Sequence, residues 1–345
     1  MKPGDAHVRF ANDIELREPR DRPRPAVLAL MPHFGEPQDS LDAVDTLRRC
    51  GYPDLRIVVV DNSDNLPDAG YADGLEILRP RTNVGYCAAV NLGLARAREL
   101  GIELFLLVNN DTVTEPNAIE SLVDALLGDD TVAGVGPLLT TERGKRIWSA
   151  GAYLRFGPNE VIQRAIGKSI DAAPRYPSVV DFLPGAFALY RTPDLLAVGG
   201  IDEVYFMYLE DVDLGVRLKE RGRRLLYVPW VEVVHGGSLS SGGGTTPLRK
   251  FFNGCNTPRL LRRCSSFKLW MSFILFDIVG LVPSIVVHLG NKRRMRAQLA
   301  KGRGIFKGIF GYVPSAKDVD YYKRKDPTFR AGLDAREHHK DRPRA

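Results

Sequence analysis

Three carboxylates crowd into four positions at Glu210-Asp211-Val212-Asp213. Like charges this close repel, and a helix N-terminus relieves them through its free N–H groups and its dipole. Two readings of the cluster stand open. One is an acidic first turn of a helix. The other is a general base, because crowding and burial raise a carboxylate pKa toward the working range. The apolar approach Val204-Tyr205-Phe206-Met207 favours a pocket over open surface. Another carboxylate, Asp111, closes Asn109-Asn110-Asp111 behind the apolar run Leu104–Val108. There it can hold a divalent cation against substrate phosphates, or act as a cap or turn residue before Thr112 and Glu115. Asp61 follows the run Arg56–Val60 in the same way. His235 follows Val231–Val234 and opens onto the glycine- and serine-rich stretch 236–244. A structural histidine, a metal ligand and a phosphate contact all fit that position. The glycine-rich stretch is expected to be a mobile loop able to close over a diphosphate.

Positioning these groups requires strands that end together. Apolar runs at Ala26–Met31, Arg56–Val60, Leu75–Leu78, Leu104–Val108 and Val132–Val135 read as buried strands. Helical patterns fall between them: Ser40–Cys50 with Ser40 as N-cap, Ala88–Leu100 stopping at Gly101, and Pro116–Leu127. This alternation predicts a parallel, doubly wound sheet, whose ligand site lies at the carboxyl ends of the strands. Asp61 and Asp111 both fall on that edge. Farther on, 140–178 reads as loops or a small antiparallel insert, Asp181–Tyr190 as a strand, and Glu210–Arg221 as a helix ending at Gly222. Arg224–Val228 and Val231–Val234 read as two further strands. No Gly-Lys-Ser/Thr follows the glycine-rich stretch and no GxGxxG follows the first strand, so neither a Walker A loop nor a dinucleotide fold is supported.

The chain has 345 residues, 44% hydrophobic and 26% charged, which excludes a wholly disordered protein. Its four cysteines form no CxxC pair, so zinc ribbons and disulfide scaffolds are not expected and reduced cytosolic thiols are. The polar segment 1–25 lacks the apolar core of a secretion signal. Charge is unevenly placed. Residues 248–345 carry 22 basic and 7 acidic side chains, net +15, which leaves −9 over the first 247 residues of a chain of net +6. A basic C-terminal region implies an anionic partner. Within it lies the apolar stretch 269–290, interrupted by Asp277, Gly280, Pro283 and His288. An interfacial or re-entrant helix pair, a buried core helix and a true span all remain open for it. No nucleic-acid recognition module or stacking array accompanies the basic residues, so nucleic acid is not expected as a partner.

Four stretches carry a resemblance: VVVDNSDN (58–65), NVGYCAAVNLGLARA (83–97), LLVNNDTVTEP (106–116), and GGIDEVYFMYLEDVDLGVRLKERG with VPWVEVVHGGS (199–222 and 228–238). In this order they resemble the inverting family 2 glycosyltransferases of GT-A fold, especially a bacterial rhamnosyltransferase-like branch. The resemblance implies an α/β fold with a Rossmann-like, mostly parallel central sheet flanked by helices, and a helical C-terminal extension. The implied domains are a leader 1–25, a catalytic domain 26–245 (nucleotide half about 26–115, acceptor half about 116–245), a membrane-associating extension 246–315 and a mobile basic tail 316–345. Asp211 is implied as catalytic base, with Glu210 positioning a sugar. Asp111 and His235 are implied at a Mg²⁺ or Mn²⁺ site against the diphosphate. Asp61 would accept from N3–H of uracil or thymine, Pro32, Asn83 and Gly85 would line the nucleotide pocket with Asn109 and Asn110, and Gly185 and Ala186 would lie under the donor sugar. Two positions depart from the pattern: Asn109 replaces the first Asp of the DxD-type motif, and Met31-Pro32-His33-Phe34-Gly35 replaces a Thr-Tyr-Asn type of strand end. The implied partners are a dTDP-, UDP- or GDP-linked sugar, a glycan or lipid-linked acceptor, and an anionic membrane at whose cytoplasmic face the protein would lie peripherally. A non-catalytic nucleotide-sugar-binding or scaffold protein is the alternative.

Overall fold

The computed structural model describes residues 9–10, 14–15, 24–67, 75–141, 144–157, 161–236 and 246–325. Most of the polar leader, nearly all of the glycine-rich stretch and the tail beyond Lys325 therefore lie outside the described residues. The chain divides into two compact units. One comprises 1–155, 161–203 and 210–236; the other comprises 156–160, 204–209 and 237–345.

The first unit is laid around a ten-stranded mixed sheet; β1 (Arg9–Phe10) and β2 (Ile14–Glu15) form a separate antiparallel pair. Strands β3 (Val27–His33), β4 (Leu55–Asp61), β5 (Leu75–Leu78) and β6 (Leu104–Val108) run parallel, with α1 (Pro37–Arg49) and α2 (Gly85–Glu99) in the crossovers. β7 (Thr112–Thr114), α3 (Ala118–Leu127), β8 (Val132–Thr141) and β9 (Arg146–Ser149) follow, then the antiparallel pair β10 (Ala152–Leu154) and β11 (Val161–Gln163). β12 (Ser178–Val180), β13 (Phe187–Arg191), α4 (Thr192–Ala197), α5 (Glu210–Glu220) and β14 (Arg224–His235) complete the unit. The main path is β12-β14-β8-β13-β6-β3-β4-β5, with β7 paired to β14 and β9 to β8. β13 is antiparallel to both its neighbours, whereas β14 runs parallel to β8. The carboxyl ends of β3, β4, β6 and β14 and the amino end of β13 therefore share one edge.

The strands read as continuous apolar runs because both faces are covered. Val27, Ala29 and Met31 face a core that includes Val44 and Leu47 of α1 and Ile57 and Val59 of β4. On the other face Leu30 packs against Gly93 of α2, where a Cβ would stand 2.3 Å from a Leu30 methyl. Each fully buried aliphatic side chain contributes about 1.5–3 kcal/mol through its removal from water.

Several local expectations are corrected. Ser40 lies inside α1 and its hydroxyl meets His33 Nδ1 at 2.6 Å, while Glu36 holds the N-cap position. α3 starts at Ala118 because Asn117 is left-handed (φ 62°). The two expected strands around Pro229-Trp230 are one strand, β14, whose register shifts between Val228 and Glu232. A proline without an N–H is accommodated at such a bulge. The insert after Thr141 is antiparallel, as β9 and the β10–β11 hairpin.

The second unit is helical: α6 (Pro247–Cys264), α7 (Phe267–Ser272), a π-helical stretch Phe273–Val279, α8 (Leu281–Val287), α9 (Lys292–Ile309) and α10 (Ala316–Lys325). α6 and α9 lie backbone to backbone, since a Cβ on Gly304 would stand 2.2 Å from Phe251 O and one on Gly308 2.1 Å from Cys255 O. Residues 316–325, expected in a mobile tail, form α10 with Val319 and Tyr322 buried. Phe267–Val287 is long and apolar enough to cross a membrane by length and composition. Only Leu269, Ser272, Phe273 and Asp277 on its inner face are buried. The buried-core reading is thereby overturned: Val282 is 66% and Val287 78% exposed. The unit also takes in residues 204–209, where Phe206 (φ 61°), Tyr208 (66°) and Leu209 (70°) are left-handed. Such a conformation costs a side-chain-bearing residue roughly 1–2 kcal/mol.

Candidate active site

The acidic cluster sits where its sequence placed it, on the first turn of α5. Adjacent helix positions lie about 100° apart, so the carboxylates part company. Asp213 turns inward to Arg217 Nε at 2.6 Å, and Arg217 in turn donates to Val198 O and Gly200 O. Glu210 is buried, and its Oε2 has no hydrogen-bond partner among the described residues. Burial first, then the Asp211 carboxylate, push its pKa well above the ordinary carboxylate range. Asp211 is partly exposed. Its Oδ2 accepts from Gly185 N–H at 3.2 Å and its Oδ1 from Val212 N–H at 2.9 Å.

Gly185 and Ala186 connect this pair to the DxD-type segment. Ala186 O accepts from Asn109 N–H at 2.8 Å, where β13 begins beside the end of β6. Gly185 O accepts from the Tyr86 hydroxyl at 2.6 Å. A side chain at 185 has no room, because a Cβ would stand 2.7 Å from that hydroxyl. Burial, followed by the Glu210 and Asp211 charges, holds the Tyr86 phenol far above its ordinary pKa. It is a donor throughout the working range.

On the other side of Asn109 the β7–β14 pairing sets His235 opposite Thr112. Asp111 O accepts from Gly236 N–H at 2.7 Å, and His235 Nε2 lies 3.2 Å from Asp111 Oδ1. The Asn109 amide nitrogen is 3.5 Å from the same ring atom. Trp148 packs on the imidazole at a centroid distance of 4.5 Å. His235 Nδ1 is buried without a hydrogen-bond partner among the described residues. Among the described residues no group of three or more His, Cys, Asp or Glu side chains could hold a metal ion. Asp111 and His235 supply one oxygen and one nitrogen donor side by side. That set fits a cation which takes its remaining ligands from water and phosphate oxygens, the habit of Mg²⁺ at substrate phosphates.

The nucleotide-side residues form a third cluster at the ends of β3 and β4. Asn83 Oδ1 accepts from Gly85 N–H, and Asn62 joins this turn to the β4 loop by accepting from Val84 N–H and donating to Gly85 O. Gly85 opens α2 at φ 86°, a conformation glycine adopts without strain. Asp61 is buried and already engaged: Ser63, Asn65 and Leu66 N–H groups donate to it at 3.0, 3.1 and 2.9 Å. Arg79 and His33 approach it at 3.7 and 3.8 Å. It organises the loop 61–66. Pro32 lies buried within β3, paired to Val60, and Asn110 is buried beside Asn109.

Sequence reasoning missed Tyr86, Asn62 and Trp148. Tyr86 directly follows Asn83-Val84-Gly85 and could have been suspected from that alone. The contact of Trp148 with His235 depends on β9 pairing with β8, which no local signal reports.

Comparison with known proteins bears on the family and the fold. A family model described as glycosyltransferase like family 2 matches residues 24–245. The N-acetylglucosaminyl-diphospho-decaprenol L-rhamnosyltransferase of Mycobacterium tuberculosis is 30% identical over 213 residues, 54% of this chain and 68% of the relative. The pre-mycofactocin glycosyltransferase of the same organism is 32% identical over 265 residues, 70% of this chain and 52% of its own length. Among solved structures, a mannosyltransferase of Pyrobaculum calidifontis in complex with GDP-Man and Mn²⁺ has a TM-score of 0.50 at 14% identity, covering 83% of this chain and 88% of that one. Its similarity places the mixed sheet in the GT-A class. With a family match over most of the first unit, the chain belongs to glycosyltransferase family 2 and is a sugar-transferring enzyme.

Proposed function

We propose that this chain is a metal-dependent inverting transferase that moves a hexose or deoxyhexose, rhamnose in the first instance, from a nucleoside-diphosphate donor to a hydroxyl of a lipid-linked glycan. The observation that carries the reading is the unbroken series of contacts Asp211–Gly185, Ala186–Asn109 and Asp111–His235 along one sheet edge. On this reading a proton acceptor stands at one end and a cation-competent pair at the other.

Asp211 takes the proton of the acceptor hydroxyl, whose oxygen attacks the anomeric carbon opposite the nucleotide. Configuration inverts in one displacement. Glu210, whose carboxyl burial shifts toward its protonated form, orients the sugar by hydrogen bonding. Gly185 and Ala186 present backbone to the donor sugar. Asn83, Gly85 and the loop organised by Asp61 receive the nucleoside. Asp111 and His235 would hold Mg²⁺ or Mn²⁺, which supplies electrostatic stabilisation of the departing diphosphate. Rhamnose and a lipid-linked acceptor are favoured by what the rhamnosyltransferase relative is named for.

The second unit supports a peripheral membrane role at the cytoplasmic face. Its exposed apolar side chains Phe267, Val282, Val287, Phe306 and Phe310 adjoin the basic helix α9, a combination suited to an anionic headgroup layer. An in-plane placement is preferred to a span. Asp277 is ion-paired with Lys301, and Leu281 packs on Gly302, so crossing would draw the cations of α9 into hydrocarbon.

The test is transfer from dTDP-rhamnose, UDP- and GDP-sugars to a polyprenyl-diphosphate-linked N-acetylglucosamine, with Mn²⁺, Mg²⁺ or chelator, followed by assignment of product anomeric configuration. Metal-stimulated transfer with inversion is expected. Retention of configuration, or nucleotide-sugar binding without turnover on any donor, would sink it.

A further inference from the structure

We infer that Trp148 is a positioning residue for His235: its indole, carried by a one-residue bulge in β9, holds the imidazole with Nε2 beside Asp111. The inference rests on the reading of Asp111 and His235 as a cation-holding pair and adds a residue to it.

A histidine that ligates a metal ordinarily donates its other ring N–H to a carboxylate, a carbonyl or water, and that bond fixes the ring. His235 makes no such bond among the described residues. Its side chain is 1% exposed, and Nδ1 is buried without a hydrogen-bond partner. On the other side of the ring, Nε2 meets Asp111 Oδ1 at 3.2 Å and the Asn109 amide nitrogen at 3.5 Å. Both contacts act at one ring atom, so the plane of the ring is set by packing. The ring that packs on it is Trp148, at a centroid distance of 4.5 Å and an interplanar angle of 60°.

The indole reaches the imidazole across an intervening strand. Thr140 of β8 pairs with Ile147 of β9 on one side and with Val234 of β14 on the other. β9 and β14 are therefore two strand spacings apart, about 10 Å, a gap that calls for a long side chain. The ladder is also irregular at this point. Ile147 pairs with Thr140 and Ser149 with Leu139, which leaves Trp148 as the extra residue of a bulge. Bulges re-aim a side chain and recur beside active sites. The backbone on both sides of this one is held from a second direction. Ile147 N–H donates to Lys168 O at 2.9 Å, Ile147 O accepts from Gly167 N–H at 2.7 Å, and Ala150 N–H donates to Arg164 O at 3.1 Å. Trp148 is thus a fixed wall. It also packs against the hydrophobic core, but core packing alone would be met by an aliphatic residue on a regular ladder. A flat ring on an irregular one, set against an imidazole with no bond at Nδ1, does the work that a hydrogen bond to Nδ1 does elsewhere.

The experiment compares Trp148→Ala, Trp148→Leu, Trp148→Phe and His235→Ala with the parent, all as the full chain. Mn²⁺ alone is titrated and the free ion read by electron paramagnetic resonance, and thermal unfolding is measured without metal. Trp148→Ala and His235→Ala are each expected to raise the Mn²⁺ Kd about 10- to 100-fold, the scale on which outer partners of metal ligands act. Trp148→Phe keeps a ring face and should stay within about threefold of the parent. Trp148→Leu fills the core without a ring face, so its affinity should fall with that of Trp148→Ala while its unfolding temperature stays closer to the parent's. If Trp148→Ala binds Mn²⁺ within about twofold of the parent while His235→Ala binds it weakly, Trp148 is core packing alone and the cation pair stands. Equal affinities in the Leu and Phe variants would reduce the indole to a space filler in the same way, and that comparison decides the matter where Trp148→Ala fails to fold. Parent and His235→Ala binding Mn²⁺ alike would instead overturn the cation reading of His235, and the inference with it.

Discussion

Replacing Asp211 with asparagine tests the base with little change of shape. The carboxylate is held by two N–H groups, from Val212 at 2.9 Å on Oδ1 and from Gly185 at 3.2 Å on Oδ2. An asparagine that keeps the first bond turns its own NH₂ toward the second donor. One hydrogen bond to a charged acceptor is lost, worth about 1.5–3 kcal/mol of stability, and the protein stays folded. The amide has no basic oxygen to receive the hydroxyl proton, so the general-base contribution of roughly 10²–10⁴-fold disappears from kcat, equivalent to about 3–5 kcal/mol of barrier. The residues proposed to meet the donor, Asn83, Gly85 and Asp111, are untouched, so nucleotide diphosphate affinity by calorimetry should stay within about threefold. Single-turnover transfer with labelled donor reads the chemical step. A rate within about tenfold of the parent, at unchanged nucleotide affinity, would refute the reasoning and return the acidic cluster to a first-turn role.

Glu210→Gln should preserve most activity and raise stability above neutral pH. The folded pKa of Glu210 is elevated, so its protonated form contributes stability that is complete below the ordinary carboxylate value and is lost as pH rises through the folded value; a parent and variant with parallel unfolding profiles from pH 4 to 9 would contradict this. Gly185→Ala should reduce stability and activity together, because its Cβ meets the buried Tyr86 hydroxyl, and unaltered unfolding and kcat would disprove the contact. Asp61→Ala should lower the unfolding temperature as well as donor affinity, since three loop N–H groups lose their acceptor; weakened donor binding at unchanged stability would instead make Asp61 a pure ligand contact. His235→Ala should weaken activation by Mn²⁺, measured as the half-saturating metal concentration, and an unchanged value would exclude it from the cation site.

The fold was legible where burial is two-sided. Val27–Met31, Ile57–Val60 and Leu104–Val108 form uninterrupted apolar runs because helices cover both sheet faces, and turn chemistry at Asp61 and Asn109 marks their ends. Part of the candidate site is marked in the same way, since Asp61, Asn109, Asp111 and His235 stand at strand ends, whereas Glu210 and Asp211 are marked by their own crowding on the first turn of α5. What escaped was decided by partners distant in sequence. Ser40 has N-cap chemistry, yet the His33 ring takes its hydroxyl. Asp61 stands at the right edge, and only the folded loop reveals three N–H groups turned onto it. Residues 316–325 are more basic than the tail beyond them, but Val319 and Tyr322 at helical spacing find a buried surface. Composition could not separate these cases.

Two carboxylates adjacent in sequence and distinct in environment allow one fold position to do two jobs. A pair of equally solvated acids on one turn would both be charged near neutrality, repelling each other and a donor diphosphate alike. Here helix geometry sends Glu210 into the protein, where desolvation outweighs every other influence on its proton. Asp211 is left partly exposed and oriented by the Gly185 N–H. The separation needs Gly185 bare and Tyr86 in place, because any side chain at 185 would displace the N–H that orients the carboxylate. The Glu-Asp pair is therefore a unit with Tyr86 and Gly185, and its chemistry depends on residues far from it in the chain as much as on its own acids.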